Sequence, residues 1–381
     1  MLEAFLNSKP LYYDEIDYSR MPRVYDNIKK SIKISKIIHI IGTNGKGTTG
    51  RFLASALYSL GFSVGHYTSP HIRKFNERIW FNGAEVSDDV LNKSHKELVK
   101  LLDEKDADSL SYFEYTTLLA IFIYQDLDYV VLEAGLGGEY DATSVFDNVL
   151  TLVTPIDIDH EAFLGSDIKS IAKTKINAVS KYAIFAKQVH KEVYDTAKAI
   201  LDKKDIQFSK YDRYISKDDE KKIDLISKSN NLEVYLEENL TLGICALKYF
   251  GLTYEVKDFK DSRLFGRLSI LNENIIIDVG HNILAAKRIY ESLKEFKYTL
   301  VYNSYKDKNY REILTILKPI IEDVEIMDVD DVRIEAQGIM KKALADIGFE
   351  YKKFISIKSN KKYLVFGSFS VAEAFLKVYS E

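Results

Sequence analysis

The sequence predicts an α/β protein of two domains, each built on a mostly parallel sheet with helices around it. Three observations carry this. Short apolar runs of strand length alternate with longer segments of helical periodicity. At 381 residues the chain exceeds the usual size of a single core. The alternation restarts near Asp261, with a hinge expected between Asp258 and Arg263, so that residues 1–260 form one domain and 261–381 a smaller one.

Composition narrows the function classes. With 46% hydrophobic and 29% charged residues the chain is ordinary for a soluble globular protein. A net charge of -4 and scattered lysines argue against a nucleic-acid or membrane surface, so any anionic ligand has to be held locally. The single cysteine, Cys245, excludes an intrachain disulfide and a thiolate metal cluster, and its apolar surroundings (LGICALKYF) read as core. The N-terminal segment has an early acid and no apolar centre, and no run approaches the ~20 residues that span a bilayer. A reducing cytoplasm is expected.

In chain order, residues 1–35 are polar and aromatic, with a helix expected over Val24 to Ser31. Lys36 to Ile41 (KIIHII) reads as a buried parallel strand. The glycine-rich turn GTNGKGTT follows, and from Thr48 apolar residues at Phe52, Leu53, Ala56, Leu57 and Leu60 mark a helix ending at Gly61. Glycines there let consecutive N–H groups turn toward an anion that the helix N-terminus also faces. Lys46 can reach terminal phosphates and Thr48 can hold a metal ion. Only Thr43 and Asn44 separate Gly42 from Gly45, fewer than the four residues of the standard P-loop spacing, and Gly47 stands where a hydroxyl residue is usual. Strand, turn, lysine, hydroxyl and helix nevertheless occur in P-loop order.

A second strand, Phe62 to Tyr67, ends in TSPH, where Ser69 and His71 read on pattern alone as turn residues. Arg78 to Phe81 is a strand before an Asn82-Gly83 turn, and residues 88–127 are mostly helical. Within them Glu114 either caps a helix or faces a pocket. The strand Asp128 to Leu132 leads to Glu133, and the strand Val149 to Thr154 to Asp157, Asp159 and His160. Ligands of open α/β sheets bind beyond the carboxyl ends of strands, which suits Glu133 to Mg²⁺. Asp167 to Ser180 is a helix whose Lys173 and Lys175 read as a solvated face. After the YAIFA strand and a Lys-rich helix to Lys204, SKDDEKKID reads as a solvated hairpin, and LEENLTLGICALKYF as a helix carrying Asn239. In the second domain, strands at Asn274 to Val279, Tyr298 to Tyr302, Val324 to Val329 and Tyr363 to Phe366 alternate with helices at 284–296, 309–321, 335–347 and 369–380. The expected architecture is thus a P-loop-type sheet domain followed by a smaller Rossmann-like α/β domain.

Eight strings in order, HIIGTNGKGTT, GHYTSPHIRKFNERI, SYFEYTT, VVLEAGLGGEYDAT, IDHEAFLG, FGRL, IIIDVGHN and VFGSFSVAEA, resemble the folylpolyglutamate synthase and dihydrofolate synthase family, within the Mur-type amide ligases. The resemblance runs from about residue 16 to the C-terminus. It implies ATP binding by Asn44, Gly45, Lys46, Gly47, Thr48, Asn239, Arg267, Asp278 and His281. It implies that Thr48, Ser69, Glu133 and His160 hold Mg²⁺, two ions in all, and that Lys175 is an N6-carboxylysine rather than a solvated lysine. Lys46, His160 and Lys175 then carry catalysis. Asp17, Ser111, Tyr112, Phe113, Glu114, Tyr140, Asp141 and Ala142 match a pterin-binding region. The implied reaction is ATP-driven amide formation through an acyl phosphate, adding L-glutamate to dihydropteroate and also to tetrahydrofolate, by a monomer with no nucleic-acid or membrane partner. Arg267, arriving from the second domain, suggests closure over ATP. The rival readings are a cell-wall Mur ligase, disfavoured by YTSPH and FNERI, and a P-loop protein without ligase activity. Departures from the family pattern are Glu139 for arginine, Ser144 for asparagine, Thr174 for glutamate, Asn177-Ala178 for Ala-Gly, and DVGHNI for the usual Asp-Gly-Ala-His-Asn-Pro.

Overall fold

The computed structural model describes residues 1–10 and 17–380, in two compact units: residues 1–232 with 236–262, and 233–235 with the chain from 263 onward. Residues 11–16 of the polar N-terminal segment lie outside the described residues. The first unit is built on β1 (Lys36–Ile41), β2 (Val64–Tyr67), β3 (Ile79–Phe81), β4 (Ala84–Glu85), β5 (Tyr129–Glu133), β6 (Asn148–Val153), β7 (Tyr182–Phe185) and β8 (Gln207–Lys210). Their order across the sheet is β4-β3-β2-β5-β1-β6-β7-β8, parallel except where β3 and β4 pair antiparallel at one edge. The β3–β4 hairpin turns through Asn82 and Gly83, both at positive φ (45° and 99°), as the Asn-Gly pair demands.

Central β1 is covered on both faces, which is why it reads as an unbroken apolar run. Ile37 packs with Leu118 and Leu119, while Ile38 and Ile40 pack with Phe52, Leu53 and Leu57 of the Lys46–Ser59 helix. Register brings Ile40 level with Glu133 of β5 on one side and with Leu152 of β6 on the other. The carboxyl ends of β2, β5, β1 and β6 therefore stand side by side, and every first-unit motif lies on or beside this edge or packs against it.

The second unit is built on β9 (Ser269–Asn272), β10 (Ile275–Ile277), β11 (Tyr298–Tyr302), β12 (Ile321–Ile326), β13 (Tyr351–Lys353) and β14 (Tyr363–Phe366), in the order β13-β12-β11-β14-β10-β9. Only β9 is antiparallel. Both edge strands escaped the sequence reading because they are short and largely exposed, so neither shows an apolar run.

One segment contradicts the sequence reading. SKDDEKKID is no hairpin: it opens the Lys217–Ser229 helix, with Ser216 and Asp219 in a reciprocal capping box. Ile223 and Ile226 are its buried apolar residues, too few to stand out among so many charges. Asp219 is buried and accepts hydrogen bonds from Ser216 N (2.9 Å), Ser216 Oγ (2.6 Å), Lys248 Nζ (2.7 Å) and Tyr254 Oη (2.9 Å). Burial alone would raise its pKa, but the bonds from Lys248, Ser216 and Tyr254 outweigh it and hold the carboxyl below the usual carboxylate range. A depressed folded pKa stabilises the fold above the unfolded value of about 3.9 and is lost as pH falls through the folded one. Asp219→Asn is therefore expected to cost about 2 kcal/mol in urea denaturation at pH 7, with the gap to wild type narrowing below pH ~4. A gap independent of pH contradicts the ionic anchor.

Candidate functional site

The turn after β1 is fixed by two glycines. Gly42 sits at φ 140°, and a Cβ there would lie 2.0 Å from Thr154 Oγ1 at the end of β6. Gly45 caps the helix at φ 87°, and its Cβ would lie 2.2 Å from Asn239 Oδ1. No other residue satisfies both the torsions and the contacts. The amides of Thr43 and Asn44 donate to the Pro155 carbonyl (2.9 and 3.3 Å), while Thr43 Oγ1 bonds both the N and O of Asp157 at 3.0 Å. The anion cradle is thus narrower than the glycine-rich string suggested: the Asn44 amide is already committed, and the first-turn amides Lys46, Gly47 and Thr48 have no carbonyl one turn earlier to bond.

Two lysines converge on one backbone oxygen. Lys46 Nζ lies 3.3 Å from Gly42 O, 3.4 Å from Thr43 O and 4.0 Å from Glu133 Oε1. Lys175 Nζ donates to the same Gly42 O at 2.9 Å. Lys173 is exposed as expected of a solvated face, whereas Lys175 is buried. Burial, helped by the Lys46 charge and opposed by Asp159 and Asp141, pulls the Lys175 ammonium down to about 7. The AGLGGEYDAT loop lies on the helix carrying Lys175, so close that a Cβ on Gly138 would stand 2.7 Å from Lys175 O. Glu139 N donates to Thr174 O at 2.8 Å, and Glu139 Oε2 accepts from Asn177 Nδ2 at 2.8 Å.

Glu133 Oε2 accepts from Thr68 Oγ1 and from Ser69 N (3.2 Å), leaving Oε1 toward Lys46. Thr48 Oγ1 is buried without a hydrogen-bond partner among the described residues. An orphaned hydroxyl and a carboxylate at one strand edge are the oxygen donors a hard divalent cation takes, so the residues fit Mg²⁺. Among the described residues no three His, Cys, Asp or Glu side chains converge into a ready-made metal cluster. His160 is the left-handed N-cap (φ 55°) of the Glu161–Leu164 helix, and its amide donates to Asp159 Oδ1 at 2.8 Å. Asp157 is drawn away to His190, whose Nε2 lies 2.8 Å from its Oδ1.

The pterin-type residues divide. Ser111 and Glu114 form a capping box, and Arg20 Nε donates to both Glu114 oxygens (3.2 and 2.9 Å), so Glu114 is a cap and an ion pair together. Phe113 packs on Gly135, and Tyr112 faces the Arg78 guanidinium at 5.2 Å. Tyr140 is exposed and packs on Tyr18 with ring centroids 4.2 Å apart, while Asp17 accepts from Ser19 N (2.9 Å) and Oγ (2.6 Å). Ala142 is buried, and Asp141 is spent inside its loop, accepting from Leu136 N (2.9 Å), Thr143 N (3.0 Å) and Thr143 Oγ1 (2.5 Å). Thr143 is in turn 2.8 Å from His39 Nε2 on β1, a buried link that no motif singled out. Ser69 sits at a bend and His71 in the irregular segment after it, rather than in a turn; burial and the Arg78 charge bring the His71 imidazole down to about 4.

In the second unit, three expected residues gather at the end of β10. Asp278 accepts from Leu268 N (2.9 Å), Gly280 N (2.7 Å) and Tyr235 Oη (3.1 Å). Burial raises its pKa against the Arg267 charge nearby. The Arg267 guanidinium stands 5.4 Å from the Phe369 ring, and His281 Nδ1 lies 3.1 Å from Val279 O.

A glycine-bounded helix N-terminus, a lysine and a carboxylate at the carboxyl edge of a parallel sheet define a nucleotide-phosphate-binding α/β protein. No protein-family model matches the chain. The dihydrofolate synthase/folylpolyglutamate synthase of Buchnera aphidicola subsp. Schizaphis graminum is 31% identical over 376 residues, covering 88% of this chain and 86% of the relative. The crystal structure of Helicobacter pylori folylpolyglutamate synthetase superposes with a TM-score of 0.82 at 38% identity, covering 100% of this chain and 98% of that one. E. coli FolC in complex with DHPP and ADP superposes with a TM-score of 0.84 at 26% identity, covering 100% and 97%. The chain belongs to the dihydrofolate synthase/folylpolyglutamate synthase family.

The lysine pair carries a pH signature. A lysine whose folded pKa is lowered binds fewer protons folded than unfolded between pH ~7 and the unfolded value of about 10.4, so the wild-type fold gains stability as pH rises through that window. In bicarbonate-free buffer without ligand, Lys175→Met is expected to gain most on wild type below pH 7 and to lose that advantage toward pH 10 in thermal unfolding. A difference that is flat with pH contradicts the buried, near-neutral amine.

Proposed function

We propose that this chain is an ATP-dependent ligase that adds L-glutamate to dihydropteroate and extends tetrahydrofolate with further glutamate. The observation that carries the reading is the convergence of Lys46, Lys175 and Glu133 around the Gly42 turn, in a chain of this family.

A carboxylate is a poor electrophile, so the γ-phosphoryl group of ATP is first moved to the acceptor's carboxylate oxygen, giving an acyl phosphate and ADP. The glutamate amine then attacks the carbonyl carbon, the C–O bond to phosphate breaks with its electron pair, and the amine sheds a proton. Neither step needs a protein nucleophile; positioning and charge neutralisation carry such transfers. Lys46 leaves its backbone acceptors for the phosphate oxygens, and the Lys46–Thr48 amides hold the rest of the chain of phosphates. Mg²⁺, when bound by Thr48, Ser69, Glu133 and His160, supplies further neutralisation of phosphate charge. Asn239, against the turn in the first unit, and Arg267, Asp278 and His281 in the second, occupy the nucleotide positions of the family's motifs. Ser111, Tyr112, Phe113, Glu114, Tyr140, Asp141 and Ala142, with Asp17, frame the pterin side, Asp141 and Ala142 through the loop they stabilise.

Lys175 takes the N6-carboxylated form in this reading. Its amine is half neutral near pH 7, and a neutral amine adds to CO₂ with loss of one proton to give a carbamate, turning a buried cation into an anion. Adding ¹³C-bicarbonate to wild type is expected to give a carbamate resonance that Lys175→Ala lacks; no such resonance refutes the modification.

The function is tested with ATP, Mg²⁺, glutamate and either dihydropteroate or tetrahydrofolate, following phosphate release and product mass. Product is expected with each acceptor, and Lys46→Ala is expected to lower kcat by about 10³-fold or more with the fold retained. Product with neither acceptor, or near-wild-type turnover of Lys46→Ala, rules the reading out.

A further inference from the structure

We propose that His71 contacts the folate-side substrate, donating a hydrogen bond from Nε2 to an oxygen of its carboxylate group. The inference rests on the ligase reading above and names a residue to which the motif resemblance gives no role.

The segment between β2 and β3 is fastened at every turn. Thr68 N donates to Arg78 O at 3.0 Å, closing its two ends. The Glu77 carboxylate accepts from three consecutive amides, Ile72 (2.7 Å), Arg73 (2.8 Å) and Lys74 (3.1 Å). Thr68 and Ser69 are themselves bonded to Glu133, which faces Lys46. His71 therefore stands two residues beyond Ser69, whose amide bonds the phosphate-side carboxylate of Glu133, on a backbone with little freedom.

Its imidazole is fixed in orientation and in tautomer. Arg78 Nε donates to His71 Nδ1 at 2.8 Å. A guanidinium can only donate, so Nδ1 offers its lone pair and the ring proton belongs to Nε2. Arg78 is buried and its guanidinium lies 5.2 Å from the Tyr112 ring, while Phe75 packs its ring edge-on to both His71 and Tyr112 at 6.3 Å. Nε2 is left as an N–H donor with no partner among the described residues, and it is not sealed from solvent. Burying a guanidinium is costly, and a solvated loop histidine has no use for one; a histidine that must present one N–H in one direction does. Through Arg78 and Phe75 the imidazole shares a wall with Tyr112 of the pterin-type segment, and its backbone lies two residues from Ser69, which bonds the carboxylate facing Lys46. Dihydropteroate and L-glutamate both carry carboxylate oxygens that such a neutral donor binds; the packing of His71 with Phe75, which also packs on Tyr112 of the pterin-type segment, favours that of the acceptor. Arg78 acts through His71 and is a positioning residue.

The test uses the full chain labelled with ¹⁵N-histidine, with the His71 signals assigned by their loss in His71→Gln. In the free protein His71 is expected as the Nε2–H tautomer, and in Arg78→Met as a mixture of tautomers. Dihydropteroate alone, without nucleotide, is expected to shift the His71 Nε2–H proton. His71→Phe is expected to raise the KM for dihydropteroate about tenfold while the KM for ATP stays within twofold. The proposal falls if dihydropteroate binds wild type by calorimetry yet leaves the His71 signals in place, or if His71→Phe keeps its KM. Failure of wild type to bind dihydropteroate overturns this assignment, and the ligase reading falls with it only if neither acceptor yields product.

Discussion

The contact between Gly42 and Thr154 sets the floor of the site. With a Cβ at residue 42 only 2.0 Å from the threonine hydroxyl oxygen, no side chain fits, and the turn after β1 is pressed onto the end of β6. Thr154 reinforces it by donating from N (2.9 Å) and Oγ1 (3.2 Å) to Ile41 O. Once the turn is so placed, its Thr43 and Asn44 amides meet Pro155, and its Gly42 carbonyl points where both Lys46 and Lys175 reach it. Two ammonium groups at one oxygen repel, and the protein relieves this by burying one of them until it holds its proton only weakly.

Around this floor, acidic residues separate by how fully their oxygens are occupied. Glu77, Asp141 and Asp278 each receive three or more donors, mostly backbone amides, and act as fasteners that give loops a fixed course. Glu133 is different, because Thr68 and Ser69 take one oxygen and leave the other facing a lysine. The same distinction separates His190, engaged with Asp157, from His71, whose second nitrogen is open. Motif residues alike in chemistry thus do unlike work.

The strands of the sheet centres were legible because burial on both faces writes an apolar run into the sequence, as in KIIHII and YLVF. The cradle was legible from its glycines, though not its true extent, since nothing in GTNGKGTT reveals that Pro155 takes two of the amides. Lys175 looked like a surface lysine: four residues of helix give a direction relative to neighbours, not whether a glycine loop covers it. The helix at Lys217–Ser229 was hidden by its charge, although Ser216 and Asp219 at capping-box spacing announced it. His39 and Arg78 went unread because their partners, Thr143 and His71, are known only once the chain has folded.

Glu139 and Asn177 each stand where the family pattern has another residue, and they are hydrogen-bond partners across the loop and helix that enclose Lys175. Two apparent oddities are then one contact. The carboxylate at 139 accepts from the Asn177 amide nitrogen at 2.8 Å. The bond ties the glycine loop to the helix beside Lys175, so a substitution at either residue loosens the cover over a buried amine that neither side chain touches.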